Sequence, residues 1–298
     1  MPGNSKYVIA VVGPTASGKT RAAIELAQRF DTEIISADSR QCYREMNIGV
    51  ARPTAAELQA APHHFIASHS IHQPLTAAAF EQEALAKAQE IFERKDRLIL
   101  AGGTGLYIRA FLEGLDPVPD VPDNIRLAIN QAYEENGLPW LQQQIALKDP
   151  LYYKEGEMHN PHRLLRALEV VEATGNSLLS YQKKEKKPRF FQTTILGIDW
   201  PRPLLYERIN ERVLQMIDQG LEEEAKSLYP FRHLPALQTV GYSEMFDYFK
   251  GLHSFNKSVE LIAQNTRRYA KRQLTWFRRQ HDVNWMSPKE ISSFQHRL

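Results

Sequence analysis

Apolar residues near the start of the chain form a short continuous run over Tyr7–Val12, which is followed at once by a glycine-containing loop. A run of this length and β-branched character predicts a strand buried on both faces of a parallel sheet. Beyond the loop, apolar residues recur at the spacing of one helix face, at Ala22, Ala23, Leu26, Ala27 and Phe30. This part of the chain is therefore predicted to fold as strand, loop and helix.

The alternation of strand and helix patterns continues along the chain. Short apolar runs predict strands at 33–36 and 97–101, and the segment 76–96 has the amphipathic pattern of a long helix. A further strand is predicted at 193–198. Strands that alternate with helices favour an α/β fold with a doubly wound parallel sheet.

Closely spaced prolines interrupt this alternation at 116–123, where regular structure is not expected. The sequence that follows has helical patterns without strands, until the strand pattern returns at 193–198. We therefore predict an all-helical insertion domain at 119–181 within an α/β core domain formed by 1–118 and 182–298.

One helix of the predicted insertion has clear boundary signals. Asn160 followed by Pro161 is a helix start, because asparagine caps the first turn and proline fits its first position. Gly175 is the matching stop. Arg163 and Arg166 lie three residues apart in this helix and are therefore neighbours on its surface.

Composition and charge narrow the class of protein. The chain has 298 residues with 37 basic and 35 acidic side chains, so a net charge of +2 does not by itself indicate a nucleic-acid partner. The segment 267–279 nevertheless contains six basic residues and no acidic one. Two interpretations of this segment remain open: a face that binds nucleic acid, and a solvated helix face whose aromatic residues pack in the core.

A single cysteine and the lack of a membrane-spanning apolar run lead us to expect a cytoplasmic protein, and we expect a monomer.

The loop after the first predicted strand matches the phosphate-loop (P-loop) pattern, with the preceding strand and the following helix that this motif requires. Its glycines let backbone N–H groups point inward, Lys19 adds a positive charge, and the Thr20 hydroxyl suits Mg²⁺. The loop is predicted to bind a diphosphate or triphosphate with Mg²⁺ as cofactor. The predicted binding residues are Gly13, Pro14, Thr15, Ala16, Ser17, Gly18, Lys19 and Thr20.

Residues near the phosphate loop indicate which kind of reaction the loop serves. Phosphate-loop NTPases usually have an aspartate for Mg²⁺ at the end of an apolar strand, whereas the strand at 97–101 leads into Gly-Gly-Thr-Gly. The nearest acid at a strand end is Asp38, a candidate general base because the carboxyl ends of parallel strands converge on the ligand crevice. Arg208 and Arg212, four residues apart in a predicted helix, can both reach an anion. An ATP-dependent small-molecule or nucleoside kinase, in which Asp38 deprotonates a hydroxyl, remains open at this point.

Five segments, taken in order, carry a resemblance to a known family. They are the phosphate loop, Ser-Ala-Asp-Ser-Arg-Gln at 36–41, Gly-Gly-Thr-Gly-Leu-Tyr at 102–107, Asn-Pro-His-Arg-Leu-Leu-Arg-Ala-Leu-Glu at 160–169 and Val-Gly-Tyr-Ser-Glu at 240–244. Together they span nearly the whole chain, and they resemble the bacterial tRNA dimethylallyltransferases.

The resemblance implies transfer of a dimethylallyl group from dimethylallyl diphosphate to the exocyclic amine of the adenosine 3′-adjacent to the anticodon in tRNA, with release of diphosphate. Asp38 would accept the amine proton, and the predicted insertion would bind the anticodon stem-loop by shape and phosphate charge. The catalytic residues that it implies are Asp38, Lys19, Thr20 and Arg208, with Thr20 as the metal ligand. The residues that it implies along the tRNA path are Asp38, Ser39, Arg40, Gln41, Thr104, Arg126, His162, Arg163, Leu164, Leu165, Arg166, Gln238, Thr239, Val240, Gly241, Tyr242 and Ser243.

Overall fold

We describe residues 5–183, 185–279 and 282–295 of the chain in a computed structural model. The chain forms two compact units, the first made of Met1–Leu112 and Pro188–Leu298 and the second of Glu113–Lys187. The second unit begins earlier and ends later than the predicted insertion at 119–181. Its two ends are joined by a hydrogen bond of 2.7 Å from the N–H of Lys187 to the carbonyl oxygen of Glu113.

The first unit contains a six-stranded sheet in which every strand pairs in parallel with its neighbours, in the order β3-β2-β4-β1-β5-β6. The strands are β1 Tyr7–Val12, β2 Ile34–Ser36, β3 His63–His64, β4 Arg97–Gly102, β5 Gln192–Ile198 and β6 Val283–Met286. The predicted α/β class with a parallel sheet is confirmed. The two edge strands β3 and β6 were not predicted.

Helices alternate with these strands and account for most of the remaining chain. In chain order they are α1 Lys19–Arg29, α2 Ala55–Ala60, α3 Ala77–Phe92, α4 Gly105–Glu113, α5 Asp123–Lys148, α6 Pro150–Glu155, α7 Pro161–Thr174, α8 Arg202–Asp218, α9 Leu221–Leu228, α10 Tyr242–Phe249, α11 Phe255–Arg278 and α12 Pro288–Ser292. Within the described ranges, none of these helices combines the length and the apolar character needed to cross a membrane.

The central strand β1 is buried on both faces, as its continuous apolar sequence predicts. Val8, Ala10 and Val12 belong to one hydrophobic cluster, and Ile9 and Val11 belong to another. Successive side chains of a strand point to opposite faces, so the two clusters are the two layers that cover the sheet. The carboxyl end of β1 is thereby fixed where the phosphate loop begins.

The second unit contains helices and no strand among its described residues, and it has its own core. α7 begins and ends at the predicted signals: the Asn160 side chain accepts a hydrogen bond from the N–H of Arg163, and Gly175 follows the last turn with a φ of 72°. Leu141 and Ile145 of α5 are fully buried in the same cluster as Leu164 of α7. The cluster is separate from the two that cover the sheet.

Candidate active site

The phosphate loop joins β1 to α1 at the carboxyl edge of the sheet. Gly18 caps α1 with a φ of 91°, a left-handed conformation that favours glycine. The N–H of Ser17 donates to the carbonyl oxygen of Pro14 at 3.3 Å and closes the turn. Residues 15–20 line a cavity of about 710 Å³, whereas Gly13 and Pro14 are buried and do not line it. Gly13 and Pro14 therefore shape the loop, and the following residues form the cavity wall.

Two side chains of the loop have properties expected of an anion site. The Ser17 hydroxyl is buried and has no hydrogen-bond partner in the structure. The Lys19 ammonium donates to the carbonyl oxygen of Pro14 at 2.7 Å. The pKa of Lys19 is lowered to about 8, chiefly by burial; the Asp38 carboxylate acts in the opposite direction, and the nearby Arg212 adds to the lowering. A bound anion would stabilise the charged form of Lys19 and give the Ser17 hydroxyl an acceptor.

Arg208 and Arg212 of α8 both contact the phosphate loop. The Nε–H of Arg208 donates to the carbonyl oxygen of Ala16 at 2.8 Å, and its guanidinium lies 4.7 Å from the ring centroid of Trp200. Nη1 of Arg212 donates to the Thr15 hydroxyl at 3.3 Å. Burial lowers the pKa of Arg212, and the neighbouring Arg208 lowers it further. The two cations are thus held against the loop rather than in solvent.

Asp38 follows β2 and lies in the same cavity as Lys19. One oxygen of its carboxylate, Oδ1, accepts hydrogen bonds from the N–H groups of Arg40 at 3.0 Å and Gln41 at 3.3 Å. These two bonds fix the orientation of the carboxylate. The cavity therefore contains an oriented acid together with the cations that surround the phosphate loop.

The loop that contains Asp38 is bound to the glycine-containing loop after β4. A Cβ atom at Gly102 would lie 2.2 Å from the carbonyl oxygen of Ala37, so only glycine permits this approach. The N–H of Thr104 donates to Ala37 at 3.2 Å, and its hydroxyl accepts from the N–H of Ser39 at 3.0 Å. Thr104 and Ser39, both predicted along the tRNA path, are therefore direct neighbours.

The side chains of Arg40 and Gln41 donate hydrogen bonds to backbone carbonyl oxygens of the protein. Nη1 of Arg40 donates to the carbonyl oxygens of Pro235 at 3.1 Å and Ala236 at 3.0 Å. Nε2 of Gln41 donates to the carbonyl oxygen of Ala51 at 2.9 Å. Both side chains hold loops beside the cavity, and their contact with tRNA stays a prediction.

The predicted tRNA segment 238–243 lies only partly in the cavity wall. Thr239, Val240 and Gly241 line the cavity, whereas Gln238 and Ser243 do not. These three residues therefore share one cavity with the phosphate loop.

Tyr242, from the same segment, is fully buried, so its side chain offers no surface to RNA in this structure. Its hydroxyl donates to the Glu224 carboxylate at 2.6 Å. The same carboxylate accepts from the N–H groups of Asn47 at 3.1 Å, Ile48 at 2.8 Å and Gly49 at 2.9 Å. Tyr242 therefore supports a loop of the cavity wall through Glu224, a residue that sequence reasoning missed because an acid on a helix gives no signal of its own.

The second unit brings together two of the predicted tRNA residues. Nε of Arg126 lies 3.8 Å and Nη1 of Arg166 lies 3.6 Å from the same carboxylate oxygen of Glu169. Glu169 is buried, with 7% of its surface exposed. The buried acid holds the two cations side by side, an arrangement that can bind phosphate oxygens.

The other predicted residues of α7 differ in exposure. His162 and Arg163 are exposed, Leu165 is half-buried, and Leu164 is fully buried. The Leu164 side chain packs in the core of the unit, so it supports the helix rather than offering a contact to RNA.

The basic helix α11 forms a wall of the cavity. Tyr269 and Gln273 line it, whereas Phe277 is buried in the core. Gln273 is buried and polar, and it was not singled out from the sequence. Its signal was its position on the buried stripe of α11, three residues after Ala270 and four before Phe277.

Comparison with known proteins places this site in a family. A family model described as IPP transferase matches residues 41–280. The tRNA dimethylallyltransferase of Christiangramia forsetii is 46% identical over 288 residues, which cover 97% of this chain and 95% of that protein. The tRNA dimethylallyltransferase of Flavobacterium johnsoniae is 45% identical over 286 residues, with 94% and 93% covered.

A solved structure agrees with these sequences. The crystal structure of the full-length tRNA isopentenylpyrophosphate transferase from Bacillus halodurans has 35% sequence identity to this chain and a TM-score of 0.70. The match covers 97% of this chain and 94% of that one. These similarities support the transferase interpretation over the kinase alternative. The chain therefore belongs to the IPP transferase family and, within it, to the tRNA dimethylallyltransferases, which are prenyl-transferring enzymes.

Proposed function

We propose that this enzyme transfers a dimethylallyl group from dimethylallyl diphosphate to the exocyclic amine of the adenosine 3′-adjacent to the anticodon in tRNA. The observation that supports it most strongly is the shared cavity, in which the cationic phosphate loop and the oriented carboxylate of Asp38 face the same space. A leaving group and a nucleophile can therefore be bound in one place.

In this reaction the phosphate loop would stabilise the leaving group. The allylic carbon–oxygen bond breaks and its electron pair stays on diphosphate, so negative charge grows on that group. Lys19 and the N–H groups at the start of α1 would stabilise this charge, and Arg208 and Arg212 would add two further cations. Arg208 is already oriented by its bond to Ala16 and by the Trp200 ring.

Asp38 would orient and deprotonate the nucleophile. The lone pair of an adenine amine is delocalised into the ring, so the amine is a weak nucleophile that needs orientation and loss of a proton. The Asp38 carboxylate would accept the amine proton while the new carbon–nitrogen bond forms. The hydrogen bonds from Arg40 and Gln41 hold the carboxylate in place for that transfer.

Mg²⁺ fits this arrangement through Thr20. Among the residues that the structure describes, no group of three or more His, Cys, Asp and Glu side chains could hold a metal ion alone. Mg²⁺ is often held by few protein oxygens together with substrate phosphates, and Thr20 lines the cavity at the start of α1. When bound there with diphosphate, the ion would neutralise charge on the leaving group.

The RNA would be recognised partly by the second unit. Arg126 and Arg166 beside Glu169, with the exposed His162 and Arg163, offer positive charge for the phosphates of an anticodon stem-loop. Protein contacts to folded RNA depend largely on shape and phosphate charge.

Mass spectrometry of the product tests the proposal. Unmodified tRNA is incubated with the enzyme and Mg²⁺, with dimethylallyl diphosphate in one reaction and ATP in another. We expect the RNA to gain one five-carbon unit only in the first reaction. A phosphorylated product from ATP and no gain from dimethylallyl diphosphate would contradict it.

A further inference from the structure

Gln273 of α11 connects two loops of the site through its side-chain amide. Its Oε1 accepts a hydrogen bond from the N–H of Thr15 in the phosphate loop at 2.8 Å. Its Nε2 donates to the carbonyl oxygen of Gly103, in the loop after β4, at 2.9 Å. Gln273 is 7% exposed, so its amide is largely shielded from bulk solvent. A single side chain thus holds both loops at a fixed separation.

The loop after β4 is shaped to accept this helix. A Cβ atom at Gly103 would lie 2.4 Å from Nε2 of Gln273. A Cβ atom at Gly105 would lie 2.1 Å from Nε1 of Trp276. The two glycines therefore let α11 approach the backbone closely enough for the Gln273 amide to reach Gly103.

The connection continues from this loop to the residue beside Asp38. Thr104 follows Gly103, and its hydroxyl accepts from the N–H of Ser39 at 3.0 Å. The N–H of Thr104 also donates to the carbonyl oxygen of Ala37 at 3.2 Å. Because Ala37 and Ser39 flank Asp38, hydrogen bonds joined by the peptide link between Gly103 and Thr104 connect the phosphate loop to the loop that contains the acid.

We propose that Gln273 is a positioning residue for prenyl transfer. This inference rests on the proposed function, in which the phosphate loop holds the leaving group and Asp38 orients the nucleophile. The rate of such a reaction depends steeply on the separation of the reacting atoms, and a displacement near 1 Å costs about a hundredfold. Gln273 helps to fix that separation beyond the paired strands β1 and β4, because its amide bonds directly to the phosphate loop and to the loop after β4.

The test replaces Gln273 by methionine, which has a similar size but neither hydrogen-bonding group. At saturating dimethylallyl diphosphate and tRNA, we expect Gln273→Met to lower kcat by about tenfold to a hundredfold. The KM for dimethylallyl diphosphate and the Kd for inorganic diphosphate should change by less than about threefold, because the anion-binding groups remain. Gln264→Met is the matched control, since Gln264 is exposed on the same helix, and it should retain the kcat of the unsubstituted enzyme.

A second variant separates positioning from a general loss of folding. Thr104→Val removes the hydroxyl that Ser39 contacts, at a half-buried residue, and should also lower kcat. If both residues act through one network, the double variant Gln273→Met/Thr104→Val is slowed by much less than the product of the two single effects. Additive losses, an unchanged kcat in either single variant, or a loss confined to diphosphate affinity would overturn the proposal.

The outcomes also distinguish the two proposals. An unsubstituted enzyme that transfers no prenyl group would refute the proposed function and the positioning role together. An active unsubstituted enzyme with an equally active Gln273→Met variant would refute the positioning role alone.

Discussion

Arg208 donates a hydrogen bond from Nε to the carbonyl oxygen of Ala16 at 2.8 Å, and this bond fixes a cation of α8 against the phosphate loop. The indole of Trp200 lies under the guanidinium and donates from its own Nε1 to the carbonyl oxygen of Ser17 at 2.9 Å. Two successive loop carbonyls are therefore occupied by one stacked pair of side chains. The stacked pair thus fixes the backbone of the loop from the side of α8.

Arg208→Lys should lower kcat by about tenfold or more while leaving the fold intact. Lysine keeps the charge but loses the planar group that stacks on Trp200 and donates to Ala16. Steady-state kinetics with both substrates at saturation measures the effect. Arg202→Lys is the control, because Arg202 stacks on Tyr206 at 5.1 Å in the same helix and outside the cavity. Equal losses in both variants would contradict a specific role for Arg208.

Asp38→Asn should lower kcat by about a hundredfold or more, since loss of a general base commonly costs that much. An asparagine oxygen can still accept from the N–H groups of Arg40 and Gln41, so the melting temperature should stay close to that of the unsubstituted enzyme. The affinity for tRNA should change by no more than a few-fold. Turnover that survives the substitution would remove Asp38 from the proton transfer.

Diphosphate binding should weaken as the pH rises above about 8. The pKa of Lys19 is lowered to about 8, chiefly by burial, so the ammonium is charged below that pH and loses its charge above it. The bound anion favours the charged form, and the affinity should fall by up to about tenfold per pH unit above the pKa. Isothermal titration calorimetry with inorganic diphosphate at several pH values measures this change in affinity. Lys19→Arg keeps its charge across the range, and a pH profile identical to that of the unsubstituted enzyme would contradict the assignment to Lys19.

Glu224→Gln should destabilise the enzyme by about 1–3 kcal/mol, because the charged acceptor of three backbone N–H groups and the Tyr242 hydroxyl becomes neutral. Urea unfolding measures the change. Glu223→Gln is the matched control, since Glu223 is exposed on the same helix. A free energy of unfolding that is unchanged in Glu224→Gln would show that the loop at 47–49 does not depend on this carboxylate.

Binding of tRNA should fall as salt is added, and the second unit should carry part of that dependence. If Arg126 and Arg166 contact phosphates, Arg126→Gln and Arg166→Gln should each reduce the slope of log affinity against log salt by about one. Fluorescence anisotropy with labelled tRNA gives the slopes. Lys154→Gln tests net charge alone, because Lys154 is an exposed cation elsewhere in the same unit. A slope that all three variants reduce equally would argue against specific contacts.

The elements of the fold that could be predicted are those whose sequence pattern lies within neighbouring residues. The run at Tyr7–Val12 and the cap at Asn160 gave β1 and α7 with their observed boundaries, because burial on both faces and capping are encoded in neighbouring residues. The edge strand at His63–His64 has two residues and no periodicity to detect. The edge strand at Val283–Met286 depends on pairing with β5, a distant segment.

In the candidate site, too, residues with a local sequence signal were predictable and residues that depend on distant contacts were not. The phosphate loop and Asp38 were identified because each follows a predicted strand. The roles of Gln273 and Glu224 depend on backbone groups far away in sequence, which no local pattern reveals. The burial of Tyr242 likewise follows from packing in the core and against the distant Gly49 rather than from the motif around it.

One measurement tests the central claim most directly. An anticodon stem-loop RNA is incubated with dimethylallyl diphosphate, Mg²⁺ and enzyme, alongside the same RNA with guanosine in place of the adenosine next to the anticodon, and both products are weighed by mass spectrometry. The account predicts a gain of one five-carbon unit in the adenosine RNA, none in the guanosine RNA, and almost none with Asp38→Asn. An unmodified adenosine RNA, or an equal gain in both RNAs, would contradict it.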